Sequence, residues 1–118
     1  MKTVIATIRP FKVDEVKRGL AELGFTGFRT IETRGYGRQK GHTELYHGAE
    51  YVVDFLPKVD VVITVRDHEV ERVVQAILKA AHTGRNGDGR ITVVPIDQFW
   101  NIRTGEDEVA TAKEAAAV

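Results

Sequence analysis

The sequence predicts an α+β fold of the ferredoxin-like kind, in which the chain runs β-α-β-β-α-β and two helices cover one face of a four-stranded antiparallel sheet. Three observations predict it. Residues 59–66 alternate without a break, Val59, Val61, Ile63 and Val65 on one face and Asp60, Val62, Thr64 and Arg66 on the other, the pattern of a half-buried strand. Val70, Val73, Val74, Ile77, Leu78 and Ala81 follow at i, i+3, i+4, i+7, i+8 and i+11, the wide apolar stripe of a core-facing helix. The order strand, helix, glycine turn, strand occurs twice, although the residues of the two halves are not convincingly similar.

Lys2 to Arg9 (KTVIATIR) is rich in Val, Ile and Thr and stops at Pro10, which cannot donate to a ladder, so it reads as a strand. Val13, Val16, Leu20 and Leu23 then follow helical spacing with Asp14 and Glu15 in the first turn, where carboxylates complement the helix dipole. Gly24 supplies the stop. Gly27 to Tyr36 is β-rich and polar, a strand with one wet face. From Gly35 to Lys58 runs GYGRQKGHTELYHGAEYVVDFLPK, far beyond the roughly 12–15 residues at which a structureless connection becomes uncommon. Its four glycines, its mixed charges and two of its three tyrosines, Tyr46 and Tyr51 flanking a small-residue turn, are too patterned for disorder. The strand after Pro57 leads to Asp67, expected to cap the helix over 70–81. A glycine-rich turn, Thr83 to Arg90, separates that helix from a last core strand, Ile91–Ile96. The remainder is expected to be a polar tail that packs Phe99, Trp100 and Ile102 locally and frays through its alanine-rich end. Two helices cover one sheet face only, so the other must be wet, covered by the tail or buried in an oligomer; Val62 on that face favours the last.

Composition narrows the classes of function. The 118 residues suit a single domain, able to bury roughly 65% of its unfolded surface. No window holds the roughly 20 apolar residues of a membrane span, and the N-terminus lacks the apolar core and small-residue cleavage site of a secretion signal. The chain has no cysteine, excluding disulfides and thiolate metal sites and suiting the cytoplasm. Seventeen basic residues balance seventeen acidic ones, so no overall field draws in nucleic acid and any anion binding must be local.

One stretch offers such a place. In TGRNGDGR the glycines Gly84, Gly87 and Gly89 would let successive N–H groups converge on an anion, with Arg85 and Arg90 adding charge. Equally, Gly84 is a helix stop and NGDG a flexible turn. There is no Walker loop, no dinucleotide fingerprint and no EF-hand. His42, His47, His68 and His82 show no ligand spacing and read as solvated. With neither serine nor cysteine in the chain, a Ser or Cys nucleophile is excluded. Glu44 and Glu50 read as a solvated charge run, Tyr51 as an aromatic at a strand start, Lys58 as an exposed lysine.

GRQKGHTELYHGAEYVVDFLPK, TGRNGDGRI and IRTGE, in that order, resemble the T-loop, B-loop and C-loop of the PII signal-transduction proteins, and the resemblance runs without a gap from Ile8–Lys12 to Arg103–Glu106. It implies a single domain over 1–112 with a T-loop at about 37–55, a B-loop at about 83–90, a C-loop at about 98–108 and a flexible tail over 113–118. It implies a compact homotrimer in which ATP and ADP compete for clefts between subunits. Gly87, Asp88, Gly89 and Arg90 would hold the phosphates, Arg103 would reach them from the neighbouring subunit, Gly37 and Arg38 would close over them, and Thr64 would line the base pocket. Gln39 would bind Mg²⁺ and, with Lys58, 2-oxoglutarate. Tyr51 matches a tyrosine that is uridylylated or adenylylated in many bacteria. The implied function is non-enzymatic regulation of nitrogen metabolism through the T-loop, with ammonium channels, a nucleotidyltransferase and sensor kinases as partners. An enzyme hydrolysing nucleotide in the same cleft is the alternative from another class.

At three positions this sequence differs from that family. Arg29 stands where a small hydroxyl residue is common, Val62 where an acid is frequent, and Asn101 where the first of two phosphate-binding arginines is usual. Arg29 is expected to make up part of the missing charge, stacking on the base or reaching phosphate. These positions also suit a specialised paralogue with an altered nucleotide or effector response.

Overall fold

The structure, a computed structural model, describes residues 1–35, 43–46, 49–52 and 56–117. Strand β1 (Lys2–Ile8) gives way at Pro10 to a 3₁₀ turn, Pro10–Lys12, and then to helix α1 (Val13–Glu22). Gly24 ends α1 at a positive φ of 89°, a conformation that costs glycine little. β2 (Phe28–Gly35) and β5 (Leu56–Val65) pair antiparallel and enclose a short hairpin, β3 (Thr43–Tyr46) with β4 (Ala49–Val52). α2 (Val70–Ala81) and β6 (Gly89–Pro95) follow. The main sheet has the order β2-β5-β1-β6 with every pair antiparallel. This is the predicted ferredoxin-like sandwich.

The alternation read in the sequence sets its faces. Val4, Ala6 and Ile8 of β1 and Val61, Ile63 and Val65 of β5 meet Val16 and Leu20 of α1 and Val73, Ile77 and Ala81 of α2 in one buried cluster. Its centre is dry: Val4, Leu20, Val73 and Ile77 are wholly inaccessible. Burying each such side chain contributes about 1.5–3 kcal/mol. Because successive residues of a strand face opposite ways, the pairing register gives the other face to Arg29, Ile31 and Thr33 of β2, Lys58, Asp60, Val62 and Thr64 of β5, Thr3, Ile5 and Thr7 of β1, and Arg90, Thr92 and Val94 of β6. Two hydrogen bonds cross it, from the Thr7 hydroxyl to Asp60 at 2.6 Å and between the hydroxyls of Thr3 and Thr64 at 3.2 Å. Val62 is buried already in the single chain, between its cross-strand neighbours Ile5 and Arg29. Its apolar character thus has a cause without a partner.

Three details differ from the sequence reading. Asp67 does not cap α2. The helix is entered through a 3₁₀ turn, Asp67–Glu69, in which the Glu69 carboxylate accepts the Arg66 N–H at 2.9 Å, while Asp67 pairs with the Met1 ammonium at 2.9 Å. A free carboxylate within reach of a charged amine is drawn to it in preference to a neutral amide. The chain's end, read as a tail, carries α3 (Glu108–Ala117). Alanine, the best helix former, dominates it, Asp107 accepts the Val109 N–H at 3.0 Å at its start, and Val109 is buried. Before it, Ile102 does not pack locally; it is 99% exposed, at the tip of a turn.

Candidate functional site

One end of the sheet gathers most of the candidate residues. Ile8 is opposite both Gly89 and Val59, so the turn over 83–90, the foot of the long connection and the end of β1 meet there. The turn over 83–90 is built around Asp88. Its carboxylate accepts the N–H groups of Thr83 and Gly84, each at 2.9 Å, a short bond from the Thr83 hydroxyl, and Arg9 Nε at 3.1 Å. The Thr83 hydroxyl and amide, then Arg9 and the Gly84 amide, hold the Asp88 carboxyl well below the usual carboxylate range, because each of these donors favours the charged form. Gly87 and Gly89 have φ of 99° and 101°. At Gly89 an added Cβ would lie 1.7 Å from the carbonyl oxygen of Thr7, so only glycine lets the turn sit this close on β1.

Two cations stand under the turn. Arg9 Nη2 donates to the Asn86 carbonyl at 2.6 Å, and Lys58 Nζ donates to the Gly87 carbonyl. Arg9 is placed by its neighbour: Pro10 restricts the preceding residue to extended backbone, and Arg9 is extended at φ −65°, ψ 138°, continuing the alternation of β1 onto the face that carries Thr7 and Lys58. Burial, and secondarily Arg9, lower the Lys58 pKa, with Asp88 opposing them. Beside Lys58 a cavity of about 430 Å³ is lined by Pro10, Glu32, Thr33, Pro57, Lys58 and Val59.

The remaining candidates divide. Gly87, Asp88, Gly89, Arg90 and Lys58 lie together, whereas Thr64 and Arg29 lie further along the open face. Arg103 is not with them. β6 runs from Gly89, opposite Ile8, to Pro95, opposite Lys2, so the segment after it starts about 20 Å away at the other end of the sheet. There Asn101 organises the loop: its Oδ1 accepts the N–H groups of Arg103 at 3.0 Å and Thr104 at 3.2 Å, and its Nδ2 donates to Glu108 at 3.2 Å. Tyr51 is opposite Glu44 in the β3–β4 hairpin, and Gly37, Arg38 and Gln39 lie outside the described residues. Asp88 enters as an anchor, with its oxygens occupied. Arg9 and Thr83 were missed by the sequence reading. Thr83 carries the local signal of a hydroxyl residue hydrogen-bonding a nearby turn, but nothing local marks Arg9, whose partners lie 77 and 79 positions away.

Fold and turn define a class: ferredoxin-like sandwiches with a glycine-rich turn before the last strand and a long connection between β2 and β5. Known proteins place the chain within that class. The family model described as Nitrogen regulatory protein P-II matches residues 1–106. The chain is 58% identical over 106 residues to the Nitrogen regulatory protein P-II of Azospirillum brasilense, spanning 90% of this chain and 95% of the relative. It is 57% identical over 106 residues to that of Rhizobium meliloti, with the same shares. It is 53% identical over 110 residues to the Nitrogen regulatory protein P-II 1 of Escherichia coli, spanning 93% and 98%. The chain belongs to the nitrogen regulatory protein P-II family, and its function is signalling of the PII type. Among the described residues no helix is long and apolar enough to cross a membrane.

Proposed function

We propose that this protein is a non-enzymatic sensor of ATP, ADP and 2-oxoglutarate that acts in the cytoplasm as a homotrimer, each copy a single domain over 1–112. The observation that carries the proposal is the turn over 83–90, whose Asn86 and Gly87 carbonyls are drawn toward Arg9 and Lys58 while Gly89 seats it on β1. Phosphates would meet the N–H groups of Gly87, Gly89 and Arg90 and the Arg90 side chain, with Gly37 and Arg38 closing over them. Backbone nests of this kind suit phosphate. Arg103 suits the trimer: the segment that carries it leaves the sheet at the end opposite the turn of its own chain, so it would complete the site of a neighbouring copy. Gln39 would hold Mg²⁺ through a neutral oxygen and, with Lys58, 2-oxoglutarate. Thr64 would line the base pocket. The connection over 35–58, with Tyr51 as a modification site, would report the ligand state to an ammonium channel, a nucleotidyltransferase or a sensor kinase, since ligands shift a conformational equilibrium only by binding one state better.

Asn101 favours a specialised form of this function. An amide that holds its own loop together has replaced a cation at that position, and Arg29, on the open face beside Val62, would supply part of the charge. Calorimetry tests the proposal. ATP and ADP should compete for one site per chain, and 2-oxoglutarate should bind only with MgATP. No nucleotide binding would overturn it, and ATP turnover at about 1 s⁻¹ or faster would make the protein an enzyme instead.

A further inference from the structure

The hydrogen bonds beneath the turn have a consequence for the direction of its amides. In a trans peptide the C=O of one residue and the N–H of the next point in opposite directions, and the chain has no cis peptide among the described residues. Arg9 takes the Asn86 carbonyl, so the Gly87 N–H points the other way; among the described residues nothing accepts it. Lys58 takes the Gly87 carbonyl and turns the next amide outward in the same manner, where Asp88 N–H makes only a long bond of 3.3 Å to the Arg85 carbonyl. The same guanidinium also holds the Asp88 carboxylate, the one negative side chain in the turn and the group that would repel an anion.

We propose that Arg9 is a positioning residue of the anion site: its fork aims the Gly87 N–H at a phosphate and keeps the Asp88 charge turned into the protein. It does so without touching the ligand. Arg9 is 21% exposed and Asp88 24%, so the pair is largely shielded from water, and both of its bonds come from different nitrogens of one rigid plane. A lysine has the charge and three donors but lacks the planar fork, so it would have to meet Asp88 and Asn86 from one point on a flexible stem.

The inference rests on the nucleotide-binding function proposed above and is tested with the full chain, ¹⁵N-labelled, as parent, Arg9→Met and Arg9→Lys. ADP is titrated by calorimetry and by the amide resonance of Gly87, with inorganic pyrophosphate as a second probe that needs no base contact. In the parent the Gly87 proton should move downfield as it binds phosphate. In Arg9→Met, ADP affinity should fall about tenfold or more, the loss expected when one well-aimed charge-assisted contact goes, and the Gly87 shift should shrink even at saturation. Arg9→Lys should recover part of both. A residue that merely supports the fold would lower the melting temperature and leave the Gly87 shift of the saturated protein unchanged. Parental affinity and a parental Gly87 shift in Arg9→Met would overturn the role. If the parent takes pyrophosphate at Gly87 but not ADP, the nucleotide function fails, and the role of Arg9 stands only where Arg9→Met weakens pyrophosphate binding and its Gly87 shift; if the parent takes neither, both fall.

Discussion

Gly89 and Thr7 are in contact so close that no side chain fits between them: a Cβ at position 89 would lie 1.7 Å from the Thr7 carbonyl oxygen and 2.8 Å from its carbon, on a backbone with φ of 101°. Both partners are main chain, so neither can swing aside. Gly89→Ala should therefore destabilise by about 3 kcal/mol or more, combining left-handed strain with displacement of a ladder pair. Urea denaturation measures it; a loss below about 1 kcal/mol would mean that the turn can lift off β1 at little cost.

Acid should act on the same turn in a defined way. The Asp88 pKa is depressed in the folded protein, so its contribution to stability is fully present above the unfolded value of about 3.9 and is lost as pH falls through the lower folded value. The Asp88 carboxyl ¹³C resonance should accordingly stay flat between about pH 6 and pH 4, where ordinary carboxylates begin to titrate. Asp88→Asn should flatten the acid limb of the stability profile. An Asp88 midpoint near the ordinary value would contradict the hydrogen-bond set assigned to it.

Exposure separates two large apolar side chains. Ile77 is wholly buried and Phe11 is 69% exposed. Ile77→Ala should cost about 2–5 kcal/mol through lost burial and a residual cavity, and Phe11→Ala about 0.5 kcal/mol or less. Denaturant midpoints decide between them.

Asn101→Ala should loosen the C-loop alone. The Arg103 and Thr104 amides lose the acceptor they share, and their hydrogen exchange should quicken by roughly 5–30-fold, as expected for about 1–2 kcal/mol of local stability. Protection of β1 and β5 should not change. Unaltered exchange at Arg103 would show that the loop is held by its bridge between Trp100 and Asp107.

What the sequence made legible is what short-range periodicity encodes. The alternation in 59–66 and the stripe in 70–81 specify a strand and a helix, their apolar faces specify each other, and with the order of elements they imply the sandwich. Asp67 shows where that logic stops: the same carboxylate suits a helix cap or an ion pair, and only the fold brings the Met1 ammonium to 2.9 Å. α3 was hidden because its alanines carry no apolar periodicity, though they favour helix strongly. Within the site the glycines of 84–89 were visible and their purpose ambiguous, since a turn and a cradle require the same residues. Arg9 was invisible, because its function depends on a register that sets Ile8 against Gly89.

Among the described strands β6 pairs with β1 alone, and Val93 and Val94, on opposite faces, are both 40% exposed. An apolar edge with a free row of N–H and C=O groups is a template for any extended peptide. In the trimer proposed above, a newly made chain would expose this strand from the time it folds until it meets its neighbours. Its soluble yield should then be governed by how fast that edge finds a proper neighbour, and slow, dilute synthesis would leave it unprotected longest.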